Sequence, residues 1–146
     1  VRTALETGEP FETALDALEN VPDALSAVAA DGVATAESLQ TAFPDLSRAS
    51  LAAARSAAAE GDAAGSILAF VQKQVGARSV TPREGDDPDA VLSRAEAAVR
   101  AADWGTALTE IAALPEAAQA PLAEWRTAVQ TRVAATTALS DFEAAN

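Results

Sequence analysis

The sequence predicts an all-α fold in which short alanine-rich helices form a helical bundle, and three observations support this prediction. Forty of the 146 residues are alanine, the residue with the highest helix propensity. No segment shows the alternation of apolar and polar residues that is typical of a strand. Six prolines each precede a segment rich in alanine or leucine, as proline does at the first position of a helix; they are Pro10, Pro22, Pro44, Pro88, Pro115 and Pro121.

The helix boundaries follow from prolines, acids and glycines. An acid directly after a proline, as at Asp23 and Asp89, favours the positive end of a helix, and single glycines such as Gly32 and Gly61 mark helix ends. After a helical tail to about Thr7, helices are predicted near residues 10–19, 22–30, 35–43, 45–60, 64–75, 88–102, 104–113 and 115–139. Because each alanine buries little apolar area, the core is thin, and we expect dimerisation to complete it.

Composition divides the chain into three regions. Residues 1–63 form an N-terminal helical region, made of the end of a coiled coil and short helices. Residues 64–85 form an amphipathic segment and a loop, and residues 86–146 form a better-patterned helical domain. The chain begins with valine and contains no methionine, so we expect it to be part of a longer protein.

The composition argues against catalysis and against nucleic-acid binding. Cysteine and histidine are absent, which removes thiol chemistry, zinc ligands and the commonest general base. The net charge of −12 opposes contact with the phosphates of nucleic acids. No run approaches the about 20 apolar residues that a membrane-spanning helix needs. We predict no enzymatic activity, no cofactor, no metal and no nucleic-acid partner.

The acidic stretch GDDPD, residues 85–89, is interpreted as the start of a helix. Its carboxylates lack the alternating spacing of a calcium-binding loop. Asp87 is instead expected to cap the helix, with Pro88 at the first helical position and Asp89 in the first turn.

Large apolar residues at helical spacing mark candidate protein interfaces in the last region. Trp104, Leu108 and Ile111 follow one helical face, and Trp125 belongs to the pattern of the next helix. Such residues serve as core residues or as anchors at contacts between subunits, and both interpretations stay open. The turn around Asp103 also resembles a tetratricopeptide helical hairpin, so a peptide-binding module is the alternative function, although no second copy follows at a period of about 34 residues.

The segment of residues 66–83 is apolar and cationic in an otherwise acidic chain, and it contains no acid. Its apolar residues fall on one face of a helical wheel, and three cations lie at the border of that face or just after it. This pattern is typical of a helix that lies on an anionic membrane, and an ordinary bundle helix is the alternative. The candidate lipid-binding residues are Ile67, Leu68, Phe70, Val71, Lys73, Val75, Arg78 and Arg83.

The order of four segments resembles the C-terminal part of the mitofilin family in its alphaproteobacterial form. These segments are GEPFETALDAL (residues 8–18), FPDLSRASLAAA (43–54), ILAFVQKQVGARSV (67–80) and GDDPDAVLSRAEAAVRAADWGTALTEIAAL (85–114), the last followed by Trp125. The resemblance spans nearly the whole chain. It implies that residues 64–83 bind lipid and that residues 86–139 form a mitofilin domain.

The resemblance also implies a function. A family member is a non-enzymatic scaffold that is anchored in the bacterial inner or intracytoplasmic membrane, faces the periplasm and shapes membrane invaginations. The implied partners are an anionic membrane surface, a second copy in a homodimer or higher homo-oligomer, and outer-membrane or small helical proteins.

Overall fold

The computed structural model describes residues 1–61 and 85–145, which are helices joined by turns and short loops, without a strand. The predicted all-α fold is therefore confirmed. The elements are α1 (Arg2–Thr7), α2 (Glu12–Leu15), α3 (Asp23–Ser26), α4 (Ala36–Gly61), α5 (Pro88–Arg100), α6 (Trp104–Ala112), α7 (Glu116–Gln119), a 3₁₀ turn (Ala120–Leu122) and α8 (Ala123–Ala145).

One compact unit contains Val1–Thr41 together with the chain from Glu124 onwards. The last helix thus belongs to the same unit as the N-terminal helices. The regions expected from the sequence, in contrast, are consecutive along the chain. Arg132 of α8 helps to hold this unit together, because its Nη1 donates to the carbonyl oxygens of Leu5 at 2.7 Å and Ala34 at 3.0 Å. The apolar core consists of Leu5, Phe11, Leu15, Leu25, Ala29, Val33, Ala135 and Leu139.

Two glycines in this unit allow a close approach of the backbone. Gly8 ends α1 with a φ of 79°, and Gly32 has a φ of 74°, which is the left-handed region that side chains disfavour. A Cβ atom on Gly32 would lie 2.3 Å from the carbonyl oxygen of Gly8. Only glycine at position 32 lets the two turns pass at this distance.

The second compact unit contains Ala42–Ala123, and within it α5 and α6 pack against each other as a hairpin. The two helices meet through small and branched side chains, because alanines such as Ala95 and Ala107 let the backbones come close. The fully or nearly fully buried residues of the hairpin and the following turn are Ala90, Val91, Leu92, Ala95, Val99, Ala107, Ile111 and Leu122.

The predicted break at Pro44 is wrong, since α4 is one helix of 26 residues with Pro44 inside it. Proline has no N–H to donate to the carbonyl of Gln40, and this position in a helix costs roughly 3 kcal/mol. Burial of the neighbouring Phe43, which is completely buried, offsets part of the cost, since a buried Phe contributes about 1.5–3 kcal/mol.

Three other elements are shorter or more divided than predicted. α2 and α3 end at Leu15 and Ser26, and turn-type bonds continue each of them, as from Leu18 N to Leu15 O at 2.9 Å. The predicted helix at 115–139 is divided into α7, a 3₁₀ turn that contains Pro121, and α8. Ala120 keeps helical dihedral angles, with a φ of −55° and a ψ of −47°, but Pro121 has no N–H to donate to the carbonyl of Ala117, and this loss interrupts the α-helical hydrogen bonds.

Candidate interaction surface

The α5–α6 hairpin forms because each of its helices has a strong N-terminal cap. Asp87 caps α5, where its Oδ1 accepts from Ala90 N at 3.1 Å, and Pro88 occupies the first turn. This confirms the interpretation of GDDPD as a helix start. Asp103 caps α6 in the same way, with Thr106 N donating to Oδ1 at 3.1 Å. The turn between the helices contains Ala102 at a φ of 55°, and it follows the left-handed pattern of helix C-termini.

The cap at Asp103 predicts a dependence of stability on pH. Hydrogen bonds from Thr106 hold the pKa of Asp103 below its ordinary value of 3.8. Asp103 therefore stabilises the fold fully above pH about 4, and this contribution is lost as the pH falls through the lower pKa of the folded state. We expect Asp103→Asn, which keeps a capping oxygen, to be less stable than the wild type at neutral pH. The difference in urea midpoint should shrink toward pH 2, whereas a constant difference would contradict a role for the carboxylate charge.

A cluster of charged residues joins the two helices of the hairpin. The guanidinium of Arg94 donates from Nε to both carboxylate oxygens of Glu110 at 3.0 Å, and its Nη2 lies 2.9 Å from Oε2. Its Nη1 donates to the carbonyl oxygen of Gly85 at 2.8 Å. The hydrogen bond to Glu110 raises the pKa of Arg94, to which the charges of Asp86 and Asp87 add.

The sequence contains a signal for the pairing of Arg94 with Glu110. In a hairpin that turns near residue 102, positions 94 and 110 are equidistant from the turn and meet across the two helices. Opposite charges at such positions are expected to pair, since they face each other on neighbouring elements.

The predicted interface residues of α6 range from half-buried to buried. Trp104 and Leu108 are half-buried, whereas Ile111 is completely buried. Their spacing places all three on one side of α6, as predicted. The core interpretation accounts for Ile111, and a contact of Trp104 and Leu108 with another subunit stays a prediction.

Trp125, the fourth predicted interface residue, lies on α8 in the other compact unit. Its side chain is 5 % exposed, and its Nε1 donates to the carbonyl oxygen of Leu39 at 2.9 Å. Both features are those of a core tryptophan that buries its ring and satisfies its single donor.

A groove of about 550 Å³ lies in the first unit, between the end of α1, the start of α4 and α8. Sequence reasoning missed it because it joins positions more than 120 residues apart. It holds two glutamates and one arginine. Its walls are Glu6, Thr7, Thr35, Ala36, Glu37 and Arg132.

Charge is distributed unevenly between the described residues and the rest of the chain. Residues 1–61 and 85–145 contain twenty acids and seven arginines. Four of these arginines form ion pairs with acids of the same chain: Arg2 with Glu143, Arg48 with Asp45, Arg94 with Glu110 and Arg100 with Glu96. The predicted lipid-binding residues Ile67, Leu68, Phe70, Val71, Lys73, Val75, Arg78 and Arg83 lie outside the described residues.

Within the part of the chain that the structure describes, no three acids come together as a metal site would require. In the same part, no helix combines the length and the apolar character needed to cross a bilayer. Comparisons with protein-family models, with curated proteins and with solved structures found no match.

Proposed function

We propose that this chain is part of a non-enzymatic membrane-organising scaffold of the mitofilin type, which attaches weakly to anionic membranes through residues 66–83. The observation that carries the proposal is the separation of charge. The described residues have an excess of thirteen negative charges, whereas residues 66–83 contain three cations and no acid. An anionic membrane surface attracts only the second of these regions.

The arginines of the described residues are already engaged within the chain. Four form ion pairs with neighbouring acids, and Arg132 donates to two backbone carbonyls. An attachment to phosphate headgroups through these side chains would require the loss of these contacts. Lys73, Arg78 and Arg83 have no acid among them in the sequence, and we assign the attachment to them.

Weak attachment fits a scaffold that is held by more than one contact. Three cations contribute only about 3 kcal/mol at an anionic surface, and apolar residues such as Ile67 and Phe70 add the area that they bury among acyl chains. A membrane anchor and self-association would raise the effective concentration of this contact. From the resemblance to the mitofilin family, we propose that the chain lies on the periplasmic side of a bacterial inner or intracytoplasmic membrane, as a homodimer or higher homo-oligomer.

Flotation of the purified chain with liposomes tests the proposal. We expect binding to vesicles that contain anionic lipid at low salt and a loss of binding at about 1 M salt, where charges are screened beyond about 3 Å. Vesicles of neutral lipid alone should bind much less. Absence of binding to anionic vesicles at low salt, or equal binding to neutral ones, would contradict the proposed function.

The α5–α6 hairpin favours a second candidate, a helical module that binds peptides in the manner of tetratricopeptide repeats. Its two helices pack against each other across a turn of three residues, as in such repeats. Saturable binding of helical peptides together with no binding to vesicles would select this candidate.

A further inference from the structure

We infer that two copies of this chain associate by exchange of α8, so that α8 of each copy completes the first compact unit of the other. This inference rests on the proposed function, in which the chain is a homodimer or higher homo-oligomer. The first compact unit is built from two segments that are far apart in sequence, Val1–Thr41 and the chain from Glu124 onwards. An element at the end of such a chain can be replaced by the identical element of a second copy.

The side chains of α8 reach residues 1–41 through two kinds of contact. Trp125 and Arg132 donate hydrogen bonds to three backbone carbonyls of that segment, at 2.7–3.0 Å. Ala135 and Leu139 belong to the same apolar core as residues of α1, α2 and α3. All of these contacts join α8 to residues 1–41, so exchange preserves them and changes only which copy supplies the helix.

A single turn sets the direction of α8. The chain enters this helix through the 3₁₀ turn of Ala120–Leu122, where Pro121 has no N–H to donate and the α-helical hydrogen bonds are interrupted. Changes in a few dihedral angles at such an interruption are enough to redirect the element that follows it. With 23 residues, α8 is long enough to move as one element.

The described surface offers little apolar area for the association of two copies that keep their own α8. In the parts of the chain that the structure describes, the exposed large apolar side chains are Leu18 and Val133, at 39 % and 37 % exposure, and Trp104 and Leu108 are half-buried. A stable interface buries about 800 Å² on each partner around an apolar centre, which is far more than the exposed parts of these four side chains. Exchange instead uses a core that the chain already forms.

Complementation between two defective variants tests the exchange. Leu25→Asp places a charge at a fully buried position of α3, and Ala135→Asp places one at a fully buried position of α8. Neither variant alone can pack the first unit, whether closed or exchanged, because each copy buries an unpaired carboxylate. A mixture of the two can, since the intact residues 1–41 of one copy bind the intact α8 of the other. The matched control mixes Leu25→Asp with Leu5→Asp, where both defects lie in residues 1–41 and no combination restores the unit.

The variants carry Trp104→Phe, so that near-ultraviolet circular dichroism reports the packing of Trp125 in α8. The chains are mixed in urea in equal amounts and refolded by dilution, and native mass spectrometry counts heterodimers. We expect the mixture of Leu25→Asp and Ala135→Asp to recover about half of the wild-type signal, since one of the two units in each heterodimer is intact. The control mixture should recover none.

Milder substitutions keep the test decisive if an aspartate variant precipitates. Leu25→Ala and Leu139→Ala then replace the first pair, and Leu25→Ala with Leu5→Ala replaces the control. Each of these changes removes buried apolar atoms and lowers the urea midpoint. Exchange predicts that the first mixture regains part of the lost midpoint and that the control mixture does not.

The outcomes distinguish this inference from the proposed function. Recovery in the first mixture alone supports exchange, and equal recovery in both mixtures overturns it. A wild type that is a dimer by mass, with recovery in neither mixture, also overturns the exchange and leaves self-association to another surface. A wild type that stays a monomer at every protein concentration overturns both the exchange and the self-association, whereas flotation with anionic vesicles decides the membrane attachment separately.

Discussion

Replacement of Lys73, Arg78 and Arg83 by glutamate is expected to lower partition into anionic vesicles by about a hundredfold or more. Each cation contributes about 1 kcal/mol at such a surface, and the loss of about 3 kcal/mol corresponds to about two orders of magnitude. Reversal of the charges adds repulsion to this loss. Partition is measured by flotation across a series of lipid concentrations at low salt, and circular dichroism checks that the helix content is unchanged.

A second triple variant controls for the change in net charge. Arg48, Arg55 and Arg100 are exposed arginines of α4 and α5, and their replacement by glutamate changes the net charge by the same amount. We expect this variant to retain most of the vesicle binding, because it leaves Lys73, Arg78 and Arg83 unchanged and introduces no acid among them. Equal losses in the two variants would show that binding follows the overall charge, and would contradict a contact through residues 66–83.

Local features of the fold were predictable because they depend on neighbours in sequence. Asp87 as the cap, Pro88 after it and Asp89 in the first turn occupy three consecutive positions with well-defined helical roles, and the structure confirms them. The hairpin turn near Asp103 is of the same kind, since the cap of α6 and the left-handed residue before it are adjacent. The helical fold class follows from the alanine content, the absence of strand-type alternation and the placement of the prolines.

Features that depend on tertiary packing were not predictable from local pattern. Pro44 carries a strong local signal for a helix end, but α4 continues through it, and the neighbouring Phe43 is completely buried. Arg132 donates to the carbonyl oxygens of Leu5 and Ala34, but the sequence does not indicate these bonds. In the sequence of an amphipathic helix, an arginine that bonds to a distant carbonyl cannot be distinguished from one that only faces solvent. A single sequence indicates which helices have an apolar face, but it does not indicate which of these faces pack against each other. The packing of α8 with the N-terminal helices could therefore not be foreseen.

The candidate site shows the same division. Spacing predicted that Trp104, Leu108 and Ile111 lie on one face of α6. The helix spans all three residues and confirms this arrangement. Spacing could not tell core from interface, because both need large apolar residues. For Ile111 and Trp125, burial within the chain supplies the information that spacing lacks.

Trp125→Ala is expected to lower the free energy of unfolding by about 3–5 kcal/mol, the usual cost of removing a buried tryptophan. Trp125 is 5 % exposed and donates to Leu39 O, so the variant loses both packing and a hydrogen bond. Trp125→Phe separates the two, because it keeps most of the ring and should cost about 1 kcal/mol for the hydrogen bond. Urea denaturation monitored by circular dichroism measures both variants, and Trp104→Ala, at a half-buried position, should cost clearly less than Trp125→Ala.

The same variant distinguishes a core residue from an anchor between subunits. If Trp125 stabilises the chain from within, the loss of stability is the same at low and high protein concentration. If it anchors a homodimer, the wild type becomes more stable with concentration and the variant does not, since association shifts apparent stability by mass action. The burial of Trp125 and its bond to Leu39 predict the first result. A loss of stability that appears only at high protein concentration would instead show that Trp125 acts mainly at a contact between subunits, with its hydrogen bond to Leu39 O of lesser importance. Because domains are stable by only about 5–15 kcal/mol, a loss of the expected size is large enough to decide between these two results.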